Sequence, residues 1–393
     1  MAKAGSKSRL GAYVTRSVAG ESYKAFVPPP LPPTPPLEMA RLYKPLDQAM
    51  KALGGIDALA ILLPDISLFL YMYVRKEALV SSQIEGTQSS LSDLLLFEND
   101  ERPGVPVDDV EEVSNYVAAL NHGLARMAKG FPLSVRLIRE MHKILLRGGR
   151  GSDKAPGELR RSQNWVGGIR PGKARFVPPP PEMVGDLMSD LEKFIHDGTQ
   201  KLPVLIKAAL LHVQFETIHP FLDGNGRLGR LLITLLLCAE NALAHPILYL
   251  SLHFKEHRQL YYDLLQDVRL NGAWERWCEF FLDGVTEVAA QAAADAQRII
   301  ALLERDRARM GAIGKGADSA TKIHAYLLKK PYLSITKAAK ELGISVPTVT
   351  NAVMKMVEIG VLKEVTGQAR NRLFAYTDYL AILAVGTEPL RRA

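Results

Sequence analysis

The sequence predicts a mainly α protein that ends in a small winged helix-turn-helix. Two patterns carry that reading. Apolar residues recur at helical spacing from Glu38 to about Arg307, with loops at 99–108 and 147–181. Residues 336–342, the turn Gly343-Ile344 and a stretch from Ser345 to about Ile359 then have the spacing of two short helices joined by a tight turn.

At 393 residues and 47% hydrophobic content, the chain is long enough for two or three domains with cores of their own. With 23% charged residues and a mean hydropathy of 0.00, it fits neither a membrane channel nor a solvating tail. The apolar run 231–239 is interrupted by Thr234 and closed by Arg230 and Glu240, short of the roughly 20 residues a bilayer span needs. No transmembrane helix is expected. The charge balance is 49 − 42 = +7, with a pI near 9.2, which suits polyanionic partners such as nucleotides or nucleic acid. Cys238 and Cys278 stand far apart in apolar stretches, and the basic N-terminus has no apolar segment of a secretory signal. A reducing, cytoplasmic compartment is therefore expected.

The elements follow in order. Residues 1–37 form a basic, Pro-rich arm. Within it Val27-Pro-Pro-Pro-Leu-Pro-Pro-Thr-Pro-Pro-Leu37 cannot be helix or central strand, because proline fixes φ and lacks the backbone donor. A helical region spans 38–108, including a helix over 66–85 that Asp65 can cap and Gly86 can stop. The core spans 109–290. Glycines at 167, 168 and 172, set between Trp165-Val166 and Arg175-Phe176-Val177, predict a short hairpin over 164–177. Pro203 suits the first turn of a helix to about Ile218, and another helix runs from Asn225 or Gly226 to about Ala244. An Ala-rich helix and a Gly-rich linker fill 291–316. The winged helix-turn-helix occupies 317–393, with wing strands over 361–365 and 372–376.

The chemistry concentrates in His219-Pro-Phe-Leu-Asp-Gly-Asn-Gly-Arg-Leu-Gly-Arg230, between the two apolar helices. Gly224, Asn225 and Gly226 open a helix, whose free N–H groups and dipole form an anion site that small residues leave open to phosphate. Arg227 and Arg230 are three apart on one helical face, and their guanidinium forks suit phosphate oxygens. Asp223 offers an oxygen ligand for Mg²⁺, and His219 has the side chain whose ordinary pKa suits a general base.

These residues together resemble the Fic family of nucleotidyl transferases, whose motif is His-Pro-Phe-x-Asp/Glu-Gly-Asn-Gly-Arg-x-x-Arg. Every defined position is matched, and chance occurrence in this chain is on the order of 10⁻⁹ from average residue usage. The resemblance implies a Fic (Fido) helical core in which ATP lies with its phosphates over Gly224, Asn225, Gly226, Arg227, Leu228, Gly229 and Arg230, and Mg²⁺ sits on Asp223. His219 would take the proton of a target Ser, Thr or Tyr hydroxyl, which attacks the α-phosphate. Pyrophosphate leaves and AMP stays on the target protein or on the enzyme itself. Arg227 would serve the diphosphate and Arg230 the γ-phosphate.

The resemblance extends over about residues 25 to 290. Ser81-Ser-Gln-Ile-Glu-Gly86 is similar to the inhibitory motif Ser/Thr-x-x-x-Glu-Gly/Asn of members that carry their inhibitor on an N-terminal helix. It implies that Glu85, supported by Ser81 and Gly86, pairs with Arg230 and denies the γ-phosphate its seat. Removal of AMP by the same glutamate is an alternative activity in the family. Gly157-Glu-Leu-Arg160 and Gln163-Asn-Trp-Val-Gly-Gly168 resemble the segment leading into the family's flap, where a target chain is laid as an added strand. That assigns target docking to Gly167, Gly168 and Val177. Tyr261-Tyr-Asp-Leu-Leu-Gln266 resembles the helix lining the adenine pocket, so Tyr261 or Tyr262 would stack on the base.

Gly167-Gly-Ile-Arg-Pro-Gly-Lys173 begins like a phosphate-binding P-loop but fails at Ala174 and at the prolines from 178. The winged helix, residues 335–376, is a candidate DNA-binding module through Thr348, Thr350, Asn351, Lys355, Arg370 and Arg372. A DNA-binding regulator that uses the nucleotide site as a sensor is therefore the alternative to an enzyme. No membrane partner is expected. The target protein and the oligomeric state, a homodimer included, are left open.

Overall fold

The computed structural model describes residues 9–18, 20–62, 66–98, 107–199, 201–314, 316–368 and 371–390. Asp65, Arg370 and residues 99–106 of the first expected loop lie outside them. The chain opens with a hairpin of β1 (Ala12–Val18) and β2 (Glu21–Val27), paired from Ala12↔Val27 to Val18↔Glu21. This corrects the expectation of a plain arm over 1–37. The alternation of β-branched and aromatic residues with polar ones, Tyr13-Val14-Thr15 and Tyr23-Lys24-Ala25-Phe26, is a strand pattern. It buries Tyr23 and Ala25 beside Val177.

The helical body follows: α1 (Met39–Leu62), α2 (Ile66–Ile84), α3 (Leu91–Glu98), α4 (Val107–Ala128), α5 (Val135–Leu145), α6 (Val184–His196), α7 (Val204–Ile218), α8 (Asn225–Ala239), α9 (Ser251–Glu256), α10 (Arg258–Asn271) and α11 (Trp274–Gly311). Local chemistry sets several ends. Ser134 caps α5 by accepting from Leu137 N, and the dipole at the start of α4 is met by Asp108 and Asp109.

Helices α7 and α8 are apolar nearly all round and are buried accordingly. They form the centre of the core, with α4, α5, α6 and α11 packed about them. Truncating any of their leucines to alanine should cost about 2–5 kcal/mol, because the surrounding helices cannot collapse into the space. The turn that joins them carries the motif loop, so its residues are held between two fixed helix ends. Helix α8 stops at Ala239, short of the expected 244, and α11 runs unbroken from Trp274 to Gly311, across the boundary expected between the core and the helix of 291–316.

The C-terminal unit comprises α12 (Ala317–Lys329), β3 (Tyr332–Ser334), α13 (Ile335–Leu342), α14 (Val346–Glu358), β4 (Lys363–Glu364), β5 (Leu373–Ala375) and α15 (Thr377–Leu383). Gly343, with φ 64°, ends α13, and Ser345 caps α14 by accepting from Thr348 N. The sheet order is β3-β5-β4, a winged helix-turn-helix with a strand, β3, beyond the two wing strands expected. It is docked on α11: Tyr376 donates its hydroxyl to the buried Asp306 at 2.6 Å. Among the described residues no helix is long and apolar enough to cross a membrane. Cys238 and Cys278 are free thiols.

Candidate functional site

The loop between α7 and α8 is held by side chains from outside the motif. His219 ends α7 in the left-handed region (φ 49°, ψ 60°) with its N–H on Phe215 O. Asn225 closes the turn, accepting from Phe221 N at 2.9 Å and donating to Phe221 O at 2.8 Å. The buried Arg160 donates to His219 O at 2.9 Å and to Pro179 O at 2.5 Å, and its own N–H bonds Pro220 O. His142 receives Gly157 N–H on Nδ1 at 2.8 Å, which leaves the proton on Nε2 to reach Asp223 O at 3.0 Å. Its ring stacks 3.8 Å from that of Phe221. His142 and Arg160 were not picked out as site residues from the sequence. The loop carbonyls they hold, His219 O and Asp223 O, lie 59 and 81 residues along the chain, so these roles show only in the fold.

His219 keeps 20% of its side chain exposed, and its Nδ1 is buried beside Glu216, 3.9 Å from Oε2, without a hydrogen bond. That leaves Nε2 as the nitrogen able to face a substrate. Burial, with the nearby charges of Arg269 and Arg160, lowers its pKa to about 4, so the imidazole is neutral at pH 7. Burial also pushes the Glu216 carboxyl up to about 7, and its Oε1 has no hydrogen bond.

At the start of α8, the N–H groups of its first turn have no helical partners. Over them lies Glu85, one residue past α2. Its Oε1 accepts from Arg230 Nη2 at 2.8 Å and would stand 2.2 Å from a Cβ at Gly226. Ser81 completes the grip on Arg230, its Oγ accepting from Nε at 2.8 Å and its carbonyl from Nη2 at 3.0 Å. Burial alone would raise the pKa of Glu85, but the Arg230 charge and hydrogen bond outweigh it and leave the carboxyl below its ordinary value. Arg230 itself is raised, because the same carboxylate outweighs its desolvation. Gly86, with φ 106°, turns the chain away from α2.

Arg227 is buried, with Nη1 2.9 Å from Glu112 Oε1 on α4 and Nη2 3.4 Å from Asp223 Oδ1. Asp223 also receives Gly224 N–H at 2.5 Å. Its Oδ2 lies 3.0 Å from where a Cβ would stand on Gly151, so the bare glycine leaves this oxygen approachable. A hard oxygen donor in that position fits Mg²⁺.

Several expected site residues are elsewhere. Leu228 points into the core and its N–H is spent on Gly224 O. Gly229 faces Glu216, whose Oε1 would lie 2.6 Å from a Cβ there. On the helix Leu228 falls on the side opposite Gly226 and Arg230, whereas Gly229 is turned against Glu216 and Phe215 of α7. Tyr261 is core: its hydroxyl bonds His212 Nε2 at 2.9 Å and its ring stacks on Phe254. Tyr262, partly exposed with the Arg258 guanidinium 5.2 Å from its ring centre, remains the aromatic able to meet a base.

The flap is a hairpin closed by one bridge, Val166↔Phe176, with Gly167 and Gly168 exposed at positive φ. Val177 is not a free docking edge, because its carbonyl accepts Phe26 N–H from β2 at 2.9 Å. The edge at 164–168 stays uncovered by β2. Away from the loop, His253, His257 and Glu287 bring donor atoms within 4.8 Å of one another. His253 Nε2 is buried without the acceptor that a metal-bound imidazole would need, and the contact is a hydrogen bond between His253 Nδ1 and Glu287 at 2.7 Å.

Residues 43–125 match the model of the Fic/DOC family N-terminal region, 132–237 that of the Fic/DOC family, and 318–363 that of a winged helix-turn-helix DNA-binding domain. The chain is 34% identical over 165 residues to protein adenylyltransferase Fic of Aedes aegypti, covering 42% of this chain and 30% of that protein. It is 30% identical over 233 residues to the protein of the same name from Culex quinquefasciatus, covering 57% and 42%. The match thus spans less than half the length of these curated relatives. The fold is shared with a Fic family protein from Desulfovibrio desulfuricans G20, with TM-score 0.53, 20% identity and coverage of 84% of this chain and 95% of that one. Taken with the site geometry, these matches identify residues 43–125 and 132–237 as the N-terminal and main regions of a Fic/DOC family unit, followed by a C-terminal winged helix-turn-helix.

Proposed function

We propose that the protein transfers AMP from ATP to a Ser, Thr or Tyr hydroxyl of a target protein, itself included, and that Glu85 holds this activity down. The observation that carries the reading is the seat of the Glu85 carboxylate. It lies over Gly226 and on Arg230, where an anion belongs at the start of α8, and it is the chain's own carboxylate that fills it. Once Glu85 swings out, the same seat suits a γ-phosphate, and the first-turn N–H groups suit the phosphates before it. Neutral His219 then accepts the hydroxyl proton on Nε2 as the oxygen attacks the α-phosphorus. The bond to the β-phosphate oxygen breaks and pyrophosphate departs. Catalysis of this displacement is mostly positioning and charge neutralisation, which a loop pinned by Asn225, Arg160 and His142 supplies. Asp223 would hold Mg²⁺, whose chemistry is to neutralise phosphate charge.

The test is the intact mass of wild type, Glu85→Gly and Glu85→Gly with His219→Ala after incubation with Mg²⁺ and each of ATP, GTP, CTP and UTP. One AMP mass gained with ATP by Glu85→Gly, lost again in the double variant, is the expected result. No adduct in Glu85→Gly with any nucleotide, together with loss of AMP from a pre-modified protein, would replace transfer with AMP removal.

We further infer that the winged helix contacts DNA. Helix α14 leaves Thr348, Asn351 and Met354 exposed beside the partly exposed Thr350 and Lys355, and Arg372 stands on the wing. A gel shift weakened by salt and by Asn351→Ala supports this; a shift indifferent to both removes it.

A further inference from the structure

Gln83 lies inside the Ser81–Glu85 motif, yet nothing in the transfer chemistry uses it. Its side chain is fully buried. Nε2 donates to Ser89 O and to Thr387 O, both at 2.8 Å, and Oε1 accepts from Lys255 Nζ at 2.7 Å. Lys255, buried on α9, directs Nζ also to Gly386 O at 3.0 Å and Glu388 O at 2.5 Å. An ammonium has three donors and a primary amide two, and here each has an acceptor. Residues 386–388 follow α15 of the winged helix-turn-helix. They are therefore bonded to the same turn of α2 that carries Ser81 and leads into Glu85.

The tail is seated closely. Gly386 has φ +77°, and a Cβ there would stand 2.6 Å from Leu252 Cδ1 of α9, so the turn tolerates glycine and little else. On the other side Arg258 Nε donates to Ile84 O at 3.2 Å. The end of α2 is clasped between α9, α10 and the C-terminal tail.

We propose that this clasp sets the inhibition: Gln83 and Lys255 are positioning residues for Glu85, and residues 386–388 transmit the state of the winged helix-turn-helix to the Arg230 seat. The inference rests on the reading of Glu85 as the inhibitory group. The physical reason is that a buried polar network is sound only when complete. If the tail shifts, an ammonium and an amide are left in the core with unmet donors, so the turn of α2 that holds Glu85 must rearrange with it. Coupling of this kind is reciprocal: whatever draws Glu85 off Arg230 also loosens the tail. A partner that grips the winged helix-turn-helix and moves its last turn would raise transfer.

The experiment compares full-length wild type, Lys255→Met, Gly386→Val, Glu85→Gly and Lys255→Met with Glu85→Gly, each shown folded by circular dichroism. AMP self-incorporation from Mg²⁺ and ATP is followed by intact mass, and hydrogen exchange is measured over residues 81–90. Lys255→Met and Gly386→Val should each incorporate AMP about tenfold faster than wild type, with faster exchange at 82–86. The double variant should be no faster than Glu85→Gly alone, a non-additivity that a merely structural lesion would not produce. Variants as slow as wild type beside a fast Glu85→Gly overturn the clasp, as does an additive gain in the double variant. If Glu85→Gly itself gains no AMP, the transfer reading fails, and exchange decides the clasp: faster exchange at 82–86 in Lys255→Met supports it and unchanged exchange overturns it.

Discussion

Glu85 reaches from the end of α2 to the first turn of α8, where its Oε1 lies 2.8 Å from Arg230 Nη2 and would stand 2.2 Å from a Cβ at Gly226. One carboxylate thus occupies the guanidinium and the helix start that a terminal phosphate would need. Glu85→Gly should tighten ATP binding about tenfold or more, the worth of one charge-assisted contact, and leave AMP affinity within about twofold. Calorimetry with ATP, ADP and AMP checks this. Equal gains for all three nucleotides would mean that Glu85 obstructs the pocket generally rather than at the γ-phosphate seat.

His142 supports the loop from beneath, joining Gly157 N to Asp223 O and stacking on Phe221. His142→Ala should destabilise the fold by about 2–4 kcal/mol, combining a cavity with an orphaned buried N–H. In the Glu85→Gly background it should also slow AMP transfer, because Asp223 loses its backbone tether. Urea titration and single-turnover rates separate the two effects.

Adjacent tyrosines should behave oppositely. Tyr261→Phe leaves His212 Nε2 without its partner and should cost about 1–2 kcal/mol of stability with ATP affinity unchanged. Tyr262→Ala should leave stability nearly intact and weaken ATP binding. Thermal unfolding with and without nucleotide distinguishes them.

Glu77 on α2 is buried and accepts from Tyr116 at 3.0 Å and Ser251 at 2.5 Å. Burial pushes its pKa from 4.5 to about 7, outweighing those hydrogen bonds. With the folded-state value above the unfolded one, the neutral carboxyl's contribution is fully present below pH 4.5 and is lost as the pH rises through about 7. Glu77→Gln keeps the shape and cannot ionise. Its stability relative to wild type should therefore grow between pH 5 and pH 8, by about 3 kcal/mol at the upper end. Denaturation midpoints at four pH values test this, and a constant difference would mean Glu77 is charged in the folded protein.

The loop was legible in the sequence because its chemistry is local. His219, Asp223, Gly224, Asn225, Gly226 and Arg230 stand at fixed places on one turn and one helix start, so spacing alone nearly places them. The mainly α class was legible for the same reason, since helical bonds and the 3.6-residue period are short-range. The helix-turn-helix was likewise marked by Gly343 and Ser345, a stop and a cap read directly from residue type.

What tertiary structure alone decided depends on partners distant in the chain. Tyr261 and Tyr262 are identical in type and adjacent, and only the packing of α10 on α7 sends one ring into the core and the other toward the site. Leu228 and Gly229 sit within the motif and read as part of the cradle, whereas helical rotation sends Leu228 into the core and the packing of α7 on α8 sets Gly229 against Glu216. Val177 lost its docking edge to β2, roughly 150 residues earlier, and Arg160, His142 and Lys255 gained their roles from carbonyls far along the chain. A sequence states which groups are available for hydrogen bonding; which of them meet is set by how the buried faces of the helices pack.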